Sequence, residues 1–211
     1  MNDDTIEVRA SARVFTLRAS GALALALLLP LLMLPAGEAG AVTDTPPGND
    51  LQLPDNDMIE AARQGDVDAI HLAIMRGLSP NDGGIAGVPA LIVAAENGHL
   101  AAVKYLLENG ARPDLRDRRG RTALAVAAQA GRADIATVLL DGGADPDQIA
   151  QNNDTPLIIA VRAHRTNVVL VLVAHKVEVD DTDITGRTAL DFAEEHHFDD
   201  IVTVLRNAGA S

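Results

Sequence analysis

Residues 120–144 read G-R-T-A-L-A-V-A-A-Q-A-G-R-A-D-I-A-T-V-L-L-D-G-G-A, and a shift of 33 positions in either direction brings the stretch onto itself again. Leu124 falls on Leu91, Leu157 and Leu190, and Ala127 on Ala61, Ala94, Ala160 and Ala193. Gly120 is matched by Gly87 and Gly186, with Asn153 between them. Gly131 is matched by Gly65 and Gly98, with His164 and His197 in the later copies. Gly143 is matched by Gly77, Gly110 and Gly209, with Lys176 as the exception. Five copies align without insertion or deletion, and a fixed period of this size marks a solenoid.

Within one copy the residue order dictates two short helices. Thr122 precedes an apolar run, where its hydroxyl can accept a free N–H of the first turn. Leu124, Ala127 and Ala128 then recur at helical spacing and define one apolar face. Gly131 ends that helix, because glycine enters the left-handed region without strain. Ile135, Val138, Leu139 and Leu140 form a second apolar face that closes at Gly143, and Asp145-Pro146-Asp147 prevents further helix. A single pair cannot bury its apolar surface, whereas stacked pairs bury it against their neighbours.

These residues resemble the ankyrin repeat. Thr155-Pro156-Leu157, Ala94-Ala95-Glu96-Asn97-Gly98-His99 and Tyr105-Leu106-Leu107-Glu108-Asn109-Gly110-Ala111 carry the resemblance. It covers residues 54–211 and implies an all-α solenoid of five helix-turn-helix repeats, about 54–83, 84–116, 117–149, 150–182 and 183–211, with short β-hairpin tips. The first is expected to act as an N-terminal cap and the last as a C-terminal cap, in a monomer. The histidine that the family places after Thr-Pro-Leu is replaced by Ile92, Ala125, Ile158 and Asp191. With Lys176, His164 and His197 at glycine positions, the fourth repeat is expected to be the weakest joint.

The segment before the repeats reads differently. Arg9, Arg13 and Arg18 precede an apolar run from Gly21 to Ala36, followed by Ala39-Gly40-Ala41. That is the order of a secretory signal peptide over residues 1–41, with an uncleaved membrane anchor as the alternative. Residues 42–53 contain Thr45-Pro46-Pro47-Gly48 and read as a flexible linker. The expectation is export to the periplasm of a bacterium. The chain carries a formal charge of −13, and removal of Asp3, Asp4, Glu7, Glu38 and three arginines would leave −12. Such a balance disfavours nucleic acid and anionic membrane surfaces as partners, leaving membrane contact to the transient passage of the signal segment. With no cysteine there is no disulfide, thiolate metal site or cysteine nucleophile.

No phosphate-binding loop, dinucleotide fingerprint, zinc-protease helix or nucleophile elbow is present, so no catalytic residue, cofactor or metal is assigned. Glu194-Glu195-His196-His197-Phe198-Asp199-Asp200 is the strongest candidate for metal chemistry. His196 and Asp200 would share a helical face only if the helix ran on, and the repeat register puts a turn at His197. Glu178, Asp180, Asp181 and Asp183 lack the glycine and bidentate glutamate of a calcium loop and read as a solvated acidic face.

The positive signal is where polar residues vary between copies. The resemblance implies partner contact through the tips and the exposed ends of the first helices. The matching positions selected are Ile85, Arg116, Arg118, Arg119, Arg121, Gln129, Gln151, Asn152, Arg162 and Ile184. Arg112, Arg116, Arg118, Arg119 and Arg121 crowd ten residues, with only Asp114 and Asp117 to offset them. Either these arginines pair with neighbouring acids, or Arg118 and Arg119 meet carboxylates of a partner. The expected function is non-enzymatic binding or regulation of a periplasmic protein. The alternatives are a structural or membrane-anchored envelope scaffold and a metal-dependent activity in the last repeat.

Overall fold

A computed structural model describes residues 57–211, apart from the side chain of Gln151. The signal-peptide, linker and anchor expectations, over residues 1–53, lie outside the described residues. Ten helices follow in five pairs: α1 (Asp57–Gln64) with α2 (Val67–Met75), α3 (Ala90–Asn97) with α4 (Leu100–Glu108), α5 (Ala123–Ala130) with α6 (Ala133–Asp141), α7 (Pro156–Arg162) with α8 (Thr166–Ala174), and α9 (Ala189–Glu195) with α10 (Asp199–Asn207). Odd-numbered helices pack in one row and even-numbered helices in another, each touching its predecessor, its successor and its own partner. This is a two-layer all-α solenoid.

Threonine caps three of the first helices, α5, α7 and α9, while α3 starts after Pro89 without a side-chain cap. Thr122 accepts the Ala125 N–H at 3.2 Å and Thr155 accepts that of Ile158 at 3.4 Å. Thr188 and Asp191 form a reciprocal capping box. Gly131 ends α5 at φ 77°, as its position required. The α5 interior departs from a single apolar face, since every residue from Ala123 to Ala128 is buried. Small side chains let α3, α5 and α7 approach closely enough to cover α5 on several sides. The second helices keep one buried face: Ala102, Val103 and Leu106 in α4, Ile135, Ala136 and Leu139 in α6, and Val168, Val169 and Leu172 in α8. Val138 and Leu140 are only partly buried.

The tips differ from the expected β-hairpins. Among the described residues the sole β pairing is an isolated bridge between Thr182 and Thr188. The tip at 117–121 closes instead through Asp117 N–H to Arg121 O (3.0 Å) and Gly120 N–H to Asp117 O (2.9 Å). Two backbone bonds across five residues close a turn and leave no further paired positions from which a ladder could grow.

Side chains replace the missing histidine as links between repeats. Asn81 accepts Arg112 N–H at 2.7 Å, Asp114 accepts Asp145 N–H at 3.0 Å, Asp147 accepts Glu178 N–H at 2.9 Å and Asp180 accepts Ser211 N–H at 3.0 Å. These four acceptors stand one period apart. A second column runs along the starts of the even helices. The His99 Nε2–H donates to Arg63 O at 2.9 Å, Arg165 Nε donates to Gln129 O at 3.2 Å, and Phe198 stacks on His164 with ring centroids 4.0 Å apart. The fourth joint thus carries an aromatic contact where earlier joints have a side chain lying over glycine.

All five non-glycine residues with positive φ among the described residues fall between Asn152 and His197. Lys176, exposed and held at φ 61°, occupies a position that is glycine in the other copies with a match. Relief of that backbone strain by Lys176→Gly should stabilise the array by roughly 1 kcal/mol, reduced by the greater freedom glycine gives the unfolded chain. A denaturant midpoint that falls on substitution would refute this.

Candidate functional site

The tips are organised by acids that bond to their own turn. Asp117 is buried, and its carboxylate accepts the N–H groups of Arg119 and Arg121 (both 2.9 Å) and Arg121 Nε (2.8 Å). Burial works to raise its pKa, but the Arg121 N–H and guanidinium and the Arg119 N–H together hold it below the usual carboxylate range. Asp183 repeats the device two copies later. It accepts the N–H of Thr185 (2.6 Å) and of Arg187 (3.1 Å), together with the Thr185 hydroxyl. The Thr185 hydroxyl is the largest influence holding the Asp183 pKa down to about 2, against the opposing effect of burial. The expected solvated acidic face is therefore corrected at Asp183, whose side chain is only 2% exposed.

The middle tip breaks the pattern. Positions 117, 150 and 183 read Asp, Ala, Asp, and positions 121, 154 and 187 read Arg, Asp, Arg. Asp154 thus stands where its neighbours carry arginine. Eight residues on, Arg187 has Glu195 (2.9 Å), whereas Asp154 has Arg162, so the ion pair is reversed in sign. Arg162 donates from its two terminal nitrogens to Asp154 and to Asp183, and so joins the fourth pair to the fifth. Burial raises the Asp154 pKa, and the negative charge of Asp183 adds to it, against the pull of Arg162.

A cleft of about 270 Å³ opens where this middle tip meets α5 and α7. Arg121, Gln129, Asn152, Asp154 and Arg162 supply its polar lining, and Ala125, Val126 and Ile159 contribute apolar surface. Four of the selected contact residues, Arg121, Gln129, Asn152 and Arg162, therefore meet in one place. Ile85 and Ile184 lie elsewhere on the tips, each 72% exposed. Arg116 and Arg119 are exposed, and neither forms an ion pair among the described residues. The Arg118 guanidinium turns back to donate to Ile85 O at 2.9 Å. Arg121 pairs with Asp117 and with Glu96 (3.2 Å). The arginine cluster is consequently divided, with Arg121 and Arg118 engaged internally and Arg116 and Arg119 presented to solvent. The Gln151 side chain lies outside the described residues.

Asp154 and Asp183 were missed as members of this site. The signal available in the sequence was the alternation at 121, 154 and 187, visible once the copies are stacked.

The C-terminal histidines are occupied otherwise. His196 stacks on Phe192 at 4.0 Å and donates from Nδ1 to the Phe192 carbonyl at 3.0 Å, while His197 takes the left-handed turn at φ 57°. Asp200 accepts the Thr166 hydroxyl at 2.6 Å, which holds its pKa down. Among the described residues no three His, Cys, Asp or Glu side chains converge as a metal site would require, and no helix is long and apolar enough to cross a membrane.

Comparison with curated proteins finds no match. The family model for ankyrin repeats, built as three copies, matches residues 58–150 and 142–211. Ankyrin repeats are in general protein–protein interaction modules. The period, the paired helices and this match, which spans most of the chain, place the protein in the ankyrin-repeat family.

Proposed function

We propose that this chain binds a protein partner through its tips and the adjoining ends of the odd-numbered helices, without catalysing a reaction, and that it does so in the bacterial envelope. The observation that carries the reading is the split between positions. The leucines and alanines fixed by the period are buried, while Arg116, Arg119, Gln129 and Asn152 vary between copies and stand exposed, the last two lining the cleft. Binding surfaces are expected where a rigid scaffold presents unlike side chains at equivalent places. Export is supported by the arginines, apolar run and small residues of 9–41, which suit a periplasmic client better than a cytosolic one. Regulation or protection of a periplasmic enzyme is the role that fits a module lacking its own catalytic constellation.

The test is capture from native envelope extract, with a photo-crosslinker at Gln129 and, as a control, at Asp134 on the opposite helix row. A stoichiometric protein crosslinked only from Gln129 is expected. Crosslinking only from Asp134 would move the interface to the other face. Arg118→Glu with Arg119→Glu should weaken the captured complex about tenfold or more, as reversal of charges within an interface does. Undiminished binding with unchanged helicity would remove this tip from the contact. Mass spectrometry of the exported protein should find a new N-terminus near residue 42, and one beginning at Met1 would favour an anchored scaffold instead.

A further inference from the structure

We infer that the cleft between the third and fourth helix pairs receives a basic side chain of the partner, an arginine above all, with its charge seated on the Asp154 carboxylate. This rests on the protein-binding reading and gives the partner a chemistry.

Three independent observations converge on it. The first is the unused acceptor. Asp154 is 6% exposed, its Oδ2 is taken by Arg162, and its Oδ1 is buried with no hydrogen-bond partner among the described residues. A buried carboxylate oxygen without a donor is costly, and the cost is removed when an N–H arrives. The buried acids of the neighbouring tips have no such vacancy, since both oxygens of Asp117 and of Asp183 accept hydrogen bonds.

The second is local charge. Two ion-paired groups contribute to the cleft, Glu96–Arg121–Asp117 and Asp154–Arg162–Asp183–Arg187–Glu195, and each holds one more carboxylate than guanidinium. An incoming carboxylate or phosphate would meet that excess, while a guanidinium would reduce it. Within the second group the negative charge of Asp183 adds to burial in raising the pKa of Asp154.

The third is size. A volume of about 270 Å³ falls below the roughly 300–1,000 Å³ of sites that enclose a small molecule. It suits one long side chain. Val126 and Ile159 give the aliphatic stem an apolar wall, and the side chains of Gln129 and Asn152 offer further acceptors. Arginine meets these demands better than lysine, because its flat fork can donate to two acceptors at once and gives up water more readily.

The experiment titrates the full ¹⁵N-labelled chain with the blocked tripeptide acetyl-Gly-Arg-Gly-amide and with its citrulline counterpart, which keeps the shape and loses the charge. Saturable shifts at the amides of Gln129, Asn152 and Ala163 are expected from the arginine peptide, with binding about tenfold weaker for citrulline. Asp154→Asn should weaken arginine-peptide binding to a similar degree, and Asp68→Asn, on an exposed stretch of α2, should leave it unchanged. Should Asp154→Asn disturb folding, Gln129→Lys decides the matter, because it places a like charge at the mouth from an exposed position. Equal binding of the two peptides, shifts spread evenly over the acidic surface, or full binding by Gln129→Lys would each overturn the assignment. The crosslinking experiment above is unaffected by that outcome: a partner captured at Gln129 but inserting no basic residue would leave the binding reading standing and remove this one.

Discussion

Leu139→Ala is expected to lower the unfolding free energy by roughly 2–5 kcal/mol, the range for a leucine removed from a tightly packed interior. Leu139 has no exposed surface and sits at the centre of the five pairs, on the face of α6 that packs against α4, α5 and α8. In a stacked array each pair is stabilised chiefly by its interfaces, so a cavity at the third pair weakens two joints at once. The adjacent Leu140 makes an internal control, since it is only partly buried. Leu140→Ala removes the same atoms but leaves a site open to water, and its effect should be less than half as large. Urea denaturation of both variants checks the ratio, with an unchanged slope showing that the unfolded state is the same. Equal losses would mean that the register of α6 is wrong by one residue.

Most of the fold was legible because one rule repeats five times. The period fixed where α5 begins at Thr122 and ends at Gly131, and the same offsets place the other four odd-numbered helices. Long-range polar contacts were harder to see. Asp145-Pro146-Asp147 reads locally as a stop signal, yet Asp147 accepts the N–H of Glu178, 31 residues away. A local reading of backbone geometry has no access to such a bond. The recurrence of Asn81, Asp114, Asp147 and Asp180 could have revealed it, because side chains at one repeat position face the same neighbouring turn. The tips misled for a related reason. Asp183 looked solvated beside three other acids, but Thr185 and Arg187 fold back over it and Arg162 reaches it from the preceding pair. The cleft was half legible: variation between copies pointed to Arg121, Gln129, Asn152 and Arg162, while the reversed charge at Asp154 emerges only when the tips are superposed.

Arg162→Met should cost about 3 kcal/mol at neutral pH, the low end for breaking a buried ion pair, because the arginine side chain keeps 29% of its exposure. Its removal strands Asp154, 9% exposed at the side chain, and takes one of two arginine partners from Asp183, which is 2% exposed and keeps Arg187 at 3.8 Å. The pH dependence separates this from lost packing. In the unaltered protein Asp183 titrates at about 2, below its ordinary 3.8, so its contribution is complete above the ordinary value and is lost as pH falls towards 2. Asp154 has the opposite sign: its pKa is raised, chiefly by burial, so its ionised form costs stability and protonation in acid relieves that cost. Without the guanidinium both carboxylates become harder to ionise in the folded state. The deficit of the variant should therefore be greatest near pH 7 and shrink as pH falls below about 4, where both can take up protons. The rival account is that Arg162 acts by lying over Phe192, whose ring centre is 5.7 Å from its guanidinium carbon. A cation over a ring does not titrate in this range, so that account predicts the same deficit at both pH values. Adding Asp154→Asn and Asp183→Asn to Arg162→Met completes the test. If stranded charge is the cause, neutralising both acids should recover at least half of the lost stability, even though no ion pair has been restored.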